Sequence, residues 1–212
     1  MLSRKGSLRR IRTQSMIKNK YKRVSKQIEA VDGWLIPGQE FWLFSTAYKL
    51  RDGARIVEIG SYKGRSTVSL GLACCGTRKH VYSIDRWQGV YQDVEFNADI
   101  RNIFEKGFFD EWQKNIAINI LQDYVTPLVG NSADIARIWK APIDMLFVDG
   151  SHRFEDVIDD FENYYPYVVS GGVMAFHDVT PEWKGSFRAW HEHISARLRT
   201  HGTCSTISFG YK

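Results

Sequence analysis

The stretch RIVEIGSYKGRST, residues 55–67, decides the fold class of this chain. Residues 55–60 form a short β-branched run that ends at a glycine, and Gly64–Cys75 has the pattern of a helix. Gly60 and Gly64 allow the backbone to bend and to approach a ligand closely. A strand that enters a helix through such a turn indicates an α/β protein.

The same alternation of strand and helix patterns continues toward the C-terminus. Four further strands are predicted, at His80–Asp85, Tyr124–Gly130, Ile143–Asp149 and Gly172–His177. The alternation predicts a Rossmann-like, mostly parallel sheet with helices on both faces. Pro127 counts against regular pairing in the third strand. Ser205–Phe209 is predicted as an edge strand, and we expect a partner subunit to complete that edge because only about a dozen residues follow the last predicted helix.

Composition and charge restrict the class of protein. The 212 residues are 43% hydrophobic and 14% aromatic, which excludes a disordered or fibrous chain. No apolar run approaches the ~20 residues of a membrane span, and three cysteines form neither a disulfide framework nor a metal-binding pair. Residues 1–26 hold ten of the 29 basic residues and no acidic residue. Residues 27–212 therefore contain 19 basic and 24 acidic residues and carry a small net negative charge. We predict a basic arm at 1–28, one domain at 29–212, and a cytoplasmic location.

Polar and glycine residues follow each predicted strand, at the edge where parallel sheets bind ligands. The glycine turn after the first strand and Asp85 after the second would suit either NAD or S-adenosylmethionine (SAM). The G-x-G-x-x-G spacing of a dinucleotide site is absent. Glu58 would repel a pyrophosphate but would suit the ammonium and sulfonium groups of SAM. An ordinary glycine turn above a buried, satisfied glutamate is the alternative interpretation.

Four segments together carry a resemblance to a known family. They are VEIGSYKGRST (57–67), SID ending at Asp85, FVDGSH (147–152) and SGGVMAFHDV (170–179). The chain resembles the class I SAM-dependent methyltransferases, and more narrowly the group of macrocin and mycinamicin sugar O-methyltransferases and cephalosporin hydroxylase-like proteins; catechol O-methyltransferase is a more distant relative. The resemblance implies a SAM site made of Glu58, Gly60, Ser61, Tyr62, Gly64, Ser66, Asp85, Arg86, Asn131, Ser132, Ala133 and Asp149.

The resemblance also implies a divalent metal and a catalytic base at the fourth and fifth strand ends. The predicted ligands are Asp149, His177 and Asp178, and the predicted base is His152, whose side chain type titrates near neutral pH. A cation and a base together would activate an acceptor hydroxyl, so we expect catalytic roles for Asp149, His152 and His177. Mg²⁺ is favoured by the resemblance, but a histidine at 177 opens Mn²⁺, Fe²⁺ or Zn²⁺. Two alternatives without catalysis stay open. His152 would cap backbone groups at the start of a helix, and His177 would be a hydrogen-bonded histidine at the end of a strand.

The acceptor is predicted as a hydroxyl of a small molecule or a sugar. Trp87–Ile100 is interpreted as a lid, Trp183 as a residue that could stack on a ring, and the acids Asp156, Asp159 and Asp160 as a solvated helix face. We expect a homo-oligomer, no membrane span and no nucleic-acid partner. Two other functions stay open: a non-haem metal oxidoreductase that uses His152, His177 and an aspartate, and a non-catalytic SAM-binding protein whose basic arm contacts nucleic acid.

Overall fold

The computed structural model describes residues 4–88 and 107–212, with side chains described from Thr13 onward. Its strands are β1 (Arg55–Ile59), β2 (His80–Asp85), β3 (Val125–Val129), β4 (Ile143–Val148), β5 (Val168–Phe176), β6 (Arg199–Cys204) and β7 (Ile207–Tyr211). Its α-helices are α1 (Arg4–Glu29), α2 (Gln39–Lys49), α3 (Arg65–Cys74), α4 (Phe109–Ile118), α5 (Ser132–Ile138), α6 (Phe154–Tyr164) and α7 (Lys184–Arg188). A 3₁₀ turn follows α6 at Tyr165–Tyr167, and α7 continues through a π turn, Ala189–Ile194, and a 3₁₀ turn, Ser195–Arg197.

The seven strands form one sheet in the order β3-β2-β1-β4-β5-β7-β6. The first five are parallel, and β7 pairs antiparallel with β5. The chain runs outward from β1 through β2 to β3, then returns to β4 on the other side of β1. The strand order therefore reverses between β1 and β4, which is where an open α/β sheet binds its ligand.

Side chains that alternate along the strands fill two buried clusters, one on each face of the sheet. Ile56 and Phe147 belong to the cluster that α1 to α4 cover, whereas Val57 and Leu146 belong to the cluster of α5, α6 and the turns after α7. Successive residues of a strand point to opposite faces, so strands covered on both sides are apolar throughout. The predicted fold, a mostly parallel sheet with helices on both faces, is confirmed.

The basic N-terminal segment is a helix that is anchored to the body of the protein. Ile17 and Ile28 of α1 are almost fully buried and belong to the core cluster beside α2 and α3, while Lys18, Lys20 and Lys22 are exposed. The second half of α1 therefore packs as an amphipathic helix. The boundary between arm and domain at 28/29 stays a prediction.

Within the described ranges, 4–88 and 107–212, no helix is both long and apolar enough to cross a membrane.

Two predictions about the sheet edges need correction. Pro127 does lie in a regular ladder, opposite Ser83, because β3 is an edge strand on which a missing donor is tolerated. The C-terminal residues do form a complete hairpin, in which β7 lies inside and β6 is the outer strand. The preceding turns end at Arg197, and Ser205, with φ of 53°, allows a tight connection between the two strands.

Candidate active site

The crevice between β1 and β4 is closed by backbone contact at Gly60. This residue has φ of 84°, and a Cβ built on it would lie 2.1 Å from the carbonyl oxygen of Asp149. The two strand ends are also joined by a hydrogen bond from the Asp149 amide to the Ile59 carbonyl, at 2.7 Å. Only glycine permits this approach. The turn after β1 and the residues after β4 therefore form one surface.

Asp85 holds the glycine turn in place. Its carboxylate accepts hydrogen bonds from the backbone N–H groups of Ser61 (2.7 Å), Tyr62 (2.9 Å) and Trp87 (2.7 Å). Tyr62 and Trp87 both have positive φ, which is uncommon outside glycine, so the charged hydrogen bonds stabilise an unusual local backbone. A carboxylate has about four acceptor positions, which leaves one for a ligand hydroxyl.

Glu58 lies beneath the turn and has no exposed surface. One carboxylate oxygen accepts hydrogen bonds from the hydroxyls of Ser61 (2.9 Å), Thr67 (2.5 Å) and Ser83, while Oε1 has no hydrogen-bond partner among the described residues. Burial raises the pKa of Glu58, although the hydroxyl of Ser66 and the three hydroxyls just named act in the opposite direction. The Glu58 side chain thus stabilises the glycine turn through these hydrogen bonds, and Glu58 lines neither of the two cavities described below. Its direct contact with SAM stays a prediction.

A larger cavity of about 390 Å³ opens on one side of Gly60. Its walls include most of the predicted cofactor residues, namely Gly60, Tyr62, Asp85, Arg86, Asn131, Ser132 and Ala133. The volume falls in the range of sites that enclose a small ligand, roughly 300–1,000 Å³. Gly64 lines neither cavity; a Cβ there would lie 2.9 Å from the Trp112 ring, so this glycine serves helix packing.

A smaller cavity of about 60 Å³ lies on the other side of Gly60. Ser61, Ser66, Asp149, His152, His177 and Asp178 line it, together with Trp34 and Arg65. Gly60, Tyr62 and Gly150 line both cavities, so the two spaces meet at the turn. A ligand could extend from one cavity into the other and present its middle near the aspartates.

Asp149, His152 and Asp178 form the candidate metal cluster. Each offers one ligand atom, and these three atoms lie within 4.8 Å of one another. His152 Nε2 is 3.2 Å from Asp178 Oδ2 but is buried without an aligned hydrogen bond. One nitrogen and two carboxylates suit Mn²⁺, Fe²⁺ or Zn²⁺ better than Mg²⁺, which prefers oxygen.

His177 is only 5% exposed and lies beside both aspartates of this cluster. Its Nδ1 is 3.0 Å from Asp149 Oδ1 and 3.2 Å from Asp178 Oδ2, and its Nε2 is 3.0 Å from Gln39 Oε1. Burial by itself lowers the pKa of His177, but the two carboxylates outweigh it and raise the pKa to about 10. The histidines His177 and His152 together hold the pKa of Asp178 far below its usual range, against the effect of burial.

The group of possible ligands in the structure differs from the predicted set by one histidine. His152, predicted as the base, lies with Asp149 and Asp178, whereas His177 supplies no atom to this group. The metal site itself stays a prediction. Gln39 fixes the ring of His177, because its Oε1 also accepts from the Ile36 amide, at 2.8 Å, and its Nε2 donates to Thr206. Oε1 can only accept, so His177 Nε2 carries a proton. The set of His152, His177 and one aspartate proposed for an oxidoreductase is not the one that forms the cluster.

The sequence indicated a solvated helix face for the acid run on α6, and this prediction is wrong for Asp160. All three acids, Asp156, Asp159 and Asp160, line the larger cavity, but Asp159 is exposed whereas Asp160 is only 5% exposed. Burial raises the pKa of Asp160 to about 7, helped by the two neighbouring carboxylates and opposed by a hydrogen bond from Ser132. Spacing alone places these acids on one helix face but does not say which surface that face meets.

Trp183 contacts the base candidate in this structure. Its ring lies 4.1 Å from the His152 ring, and a Cβ on Gly185 would lie 2.1 Å from the His152 carbonyl oxygen. The segment after β5 thus packs directly on the segment after β4. Of the predicted lid, Trp87 is buried and its indole N–H donates to the Tyr62 carbonyl at 2.9 Å, whereas residues 89–100 lie outside the described residues.

Sequence reasoning missed three residues of the site, although Arg65 lies within the quoted stretch 57–67. Gln39, Trp34 and Arg65 come from α2, from the segment before it and from the start of α3. Trp34 stacks on Tyr62 with ring centroids 4.6 Å apart, and Arg65 has its Nε buried without a hydrogen bond although its terminal nitrogen pairs with Glu40 at 2.6 Å. The segment before β1 matches no motif, so its return over the strand ends could not be read from local pattern.

A family profile described as "Methyltransferase domain" matches residues 57–179, a range that includes most of the residues that line the two cavities. The chain belongs to this methyltransferase family. The resemblance to class I methyltransferases is thereby confirmed.

Among curated proteins, this methyltransferase is 27% identical over 147 residues to uncharacterized protein y4gI of Sinorhizobium fredii, an alignment that covers 68% of the chain and 15% of that protein. A 36-residue segment is 53% identical to uncharacterized protein R132 of Acanthamoeba polyphaga mimivirus, over 17% of the chain and 16% of that protein. The chain thus aligns with less than a fifth of the length of either relative.

Solved structures share the fold. An O-methyltransferase from Bacillus cereus in complex with SAH superposes with a TM-score of 0.60 at 19% identity, covering 93% of this chain and 91% of that one. TomG, an O-methyltransferase from Streptomyces achromogenes in complex with SAM, gives 0.61 at 18% identity, with coverage of 94% and 88%. CalS11, a TDP-rhamnose 3'-O-methyltransferase, gives 0.60 at 13% identity, with coverage of 92% and 93%.

Proposed function

We propose that this chain is a SAM-dependent O-methyltransferase that acts on a hydroxyl of a small molecule or of a sugar. The observation that carries the proposal is the pair of cavities that meet at Gly60, with the Asp85 carboxylate in the wall of one and the His/Asp cluster in the wall of the other. SAM is itself an adenosine joined to an amino acid through a sulfonium. The larger cavity accommodates the adenosine, and the amino-acid end extends into the smaller one.

Unpartnered buried atoms support this placement of the cofactor. Arg65 lines the smaller cavity, and none of the described residues accepts a hydrogen bond from its buried Nε, so its guanidinium suits the carboxylate of the amino-acid end. Asp85 retains an acceptor position for a ribose hydroxyl at the wall of the larger cavity. The methyl group then lies between these two ends, beside Asp149 and His152.

Asp149, His152 and Asp178 would hold a divalent cation at that position. Bound there, the cation supplies Lewis acidity that lowers the pKa of an acceptor hydroxyl. The residues themselves position the acceptor oxygen in line with the methyl group, and orientation of this kind can contribute about 7–11 kcal/mol. His177 contacts both carboxylates through Nδ1 and fixes their spacing, and Gln39 fixes the position of His177 through Nε2.

His152 has a second candidate role as the general base. The observation that favours it is the 3.2 Å separation of His152 Nε2 from Asp178 Oδ2, which would orient the imidazole as a carboxylate orients a catalytic histidine. His152→Ala separates the roles. Loss of cation affinity identifies a ligand, whereas intact cation affinity with reduced turnover identifies the base.

Calorimetric titration tests the proposal. SAH is titrated into EDTA-treated protein, and the titration is repeated with Mg²⁺ and with Mn²⁺; we expect saturable one-site binding of SAH and a cation affinity that Asp149→Asn and Asp178→Asn remove. Asp134→Asn, an exposed aspartate paired with Arg137 away from both cavities, is the matched control. Absence of SAH binding under every condition would end the methyltransferase proposal.

Transfer of a labelled methyl group from SAM tests the acceptor class. Sugar nucleotides and phenols are offered in parallel with amines and thiols of similar size, and the product is analysed by mass spectrometry. Label on oxygen supports the proposal, and the sugar acceptor is the first choice because CalS11, which shares the fold, is a TDP-rhamnose methyltransferase. Label on nitrogen or sulfur alone would overturn the O-methyltransferase assignment.

A further inference from the structure

Asp160 is a buried carboxyl in the wall of the larger cavity that the proposed reaction does not use. It lies on α6, 5% exposed, and reaches the cavity between the residues that follow β3 and those that follow β4. Burying a carboxyl costs free energy unless its oxygens have partners. A functional role of this side chain in ligand binding would explain why a buried carboxyl is found here.

Among the residues that the structure describes, only one oxygen of Asp160 has a hydrogen-bond partner. Asp160 Oδ1 accepts a hydrogen bond from the Ser132 hydroxyl at 2.5 Å, whereas none of the described residues hydrogen-bonds Oδ2. Tyr164, one turn further along α6, donates to the Ser132 carbonyl at 2.8 Å, so α6 is already fixed to this segment. A structural role would therefore be satisfied by Oδ1 and Tyr164 without Oδ2.

The second oxygen of Asp160 lies beside Gly150, which lines the same cavity. A Cβ built on Gly150 would lie 4.0 Å from Asp160 Oδ2, so residue 150 has no side chain that could cover this oxygen. Asp156 and Asp159 line the same cavity. An uncovered carboxylate oxygen beside two further carboxylates favours a ligand group that donates a hydrogen bond over one that accepts.

We propose that Asp160 is a specificity residue for the nucleobase of the cofactor, with Oδ2 accepting a hydrogen bond from the exocyclic amino group of adenine. The inference rests on the proposed function, since it assumes that the adenosine of SAM occupies the larger cavity. The 6-amino group is the hydrogen-bond donor of adenine, and hypoxanthine carries an acceptor oxygen at the same position. Asp160 would therefore reject the 6-oxo base by repulsion between two acceptors.

The inference is tested by comparing the affinities of two ligands that differ only at position 6 of the base. SAH and its 6-oxo analogue, S-inosylhomocysteine, are titrated at pH 8, where the Asp160 carboxyl is ionised because its pKa is about 7. Wild-type protein should bind SAH about 10- to 100-fold more tightly, the usual effect of a hydrogen bond to a charged group. Asp160→Asn should bring the two affinities within about threefold, because an amide can donate to the 6-oxo group.

The ratio of the two affinities is an internal control. Both ligands share the ribose and the amino acid, so a variant that is partly unfolded loses affinity for both and keeps its ratio. Glu155→Gln, an exposed neutralisation on the same helix outside the cavity lining, should keep the wild-type ratio.

Equal binding of both ligands by wild-type protein, or an unchanged ratio in Asp160→Asn, would overturn the role of Asp160 while leaving the methyltransferase proposal intact. No binding of SAH by wild-type protein would instead remove the proposed function.

Discussion

Substitution of Gly60 by alanine tests the geometry on which the whole site depends. Gly53 provides a matched control, because both glycines have positive φ, 84° and 74°, but a Cβ on Gly53 has nothing within 4 Å. At Gly60 the added Cβ would lie 2.1 Å from the Asp149 carbonyl oxygen, so the strand ends must separate by about 1 Å to reach even a tight 3.0 Å contact. The two variants share the backbone strain and differ in the clash.

The expected magnitudes follow from these two effects. An L-residue in the left-handed region costs about 1–2 kcal/mol, of which about 0.4–1 kcal/mol is offset by the lower entropy of the unfolded chain. Gly53→Ala should therefore lose about 1 kcal/mol of unfolding free energy. Gly60→Ala should lose a further 1–3 kcal/mol, the usual cost of overpacking.

Urea denaturation followed by tryptophan fluorescence measures the stability of both variants, and calorimetry measures their SAH binding. Gly53→Ala should bind SAH as wild type does. Gly60→Ala should bind it at least tenfold more weakly, because the turn that separates the cavities is displaced. Equal stabilities for the two variants, or wild-type SAH binding by Gly60→Ala, would show that β1 and β4 do not meet as described.

Three other predictions concern single side chains. Asp85→Ala should weaken SAH binding by about 10- to 100-fold in calorimetry, because three backbone N–H groups lose a charged acceptor, and unchanged affinity would contradict this role. His152→Ala should reduce turnover by about 10²–10⁴-fold at unchanged SAH affinity, and a fully active variant would remove His152 from the mechanism. Asp160 makes unliganded wild type less stable as pH rises, since its raised folded pKa gives stability that is complete below pH 4 and lost through about pH 7. Urea denaturation should show that the free energy of unfolding of wild type falls between pH 5 and pH 8, and that it falls less in Asp160→Asn. An equal fall in both proteins would refute the raised pKa of a buried Asp160 carboxyl.

Local pattern predicted the elements whose signal is contained in a few neighbouring residues. The strand Arg55–Ile59, its glycine turn and the following helix lie within one residue of the predicted boundaries. The C-terminal hairpin was missed because its tight turn, where Ser205 has φ of 53°, contains no glycine that would have indicated it.

Side-chain direction limited what could be predicted at the site. The strand-end aspartates were found because parallel strands end at a common edge, and both lie in the cluster. The resemblance placed His177 among the ligands, and its Nδ1 does lie beside both aspartates, but its Nε2 is bonded to Gln39, 138 residues away in the chain. An interaction across that separation leaves no local trace in either segment.

The class of fold, the sheet edge where the candidate site lies and the polar residues available there follow from the amino-acid sequence, because strand patterns, glycine turns and strand ends are properties of short segments. Three features follow only from the folded chain: which histidine lies with the two aspartates, the burial of Asp160 in a cavity wall, and the meeting of the two cavities at Gly60. These depend on how segments distant in the chain pack against one another, since packing fixes the direction in which each side chain points.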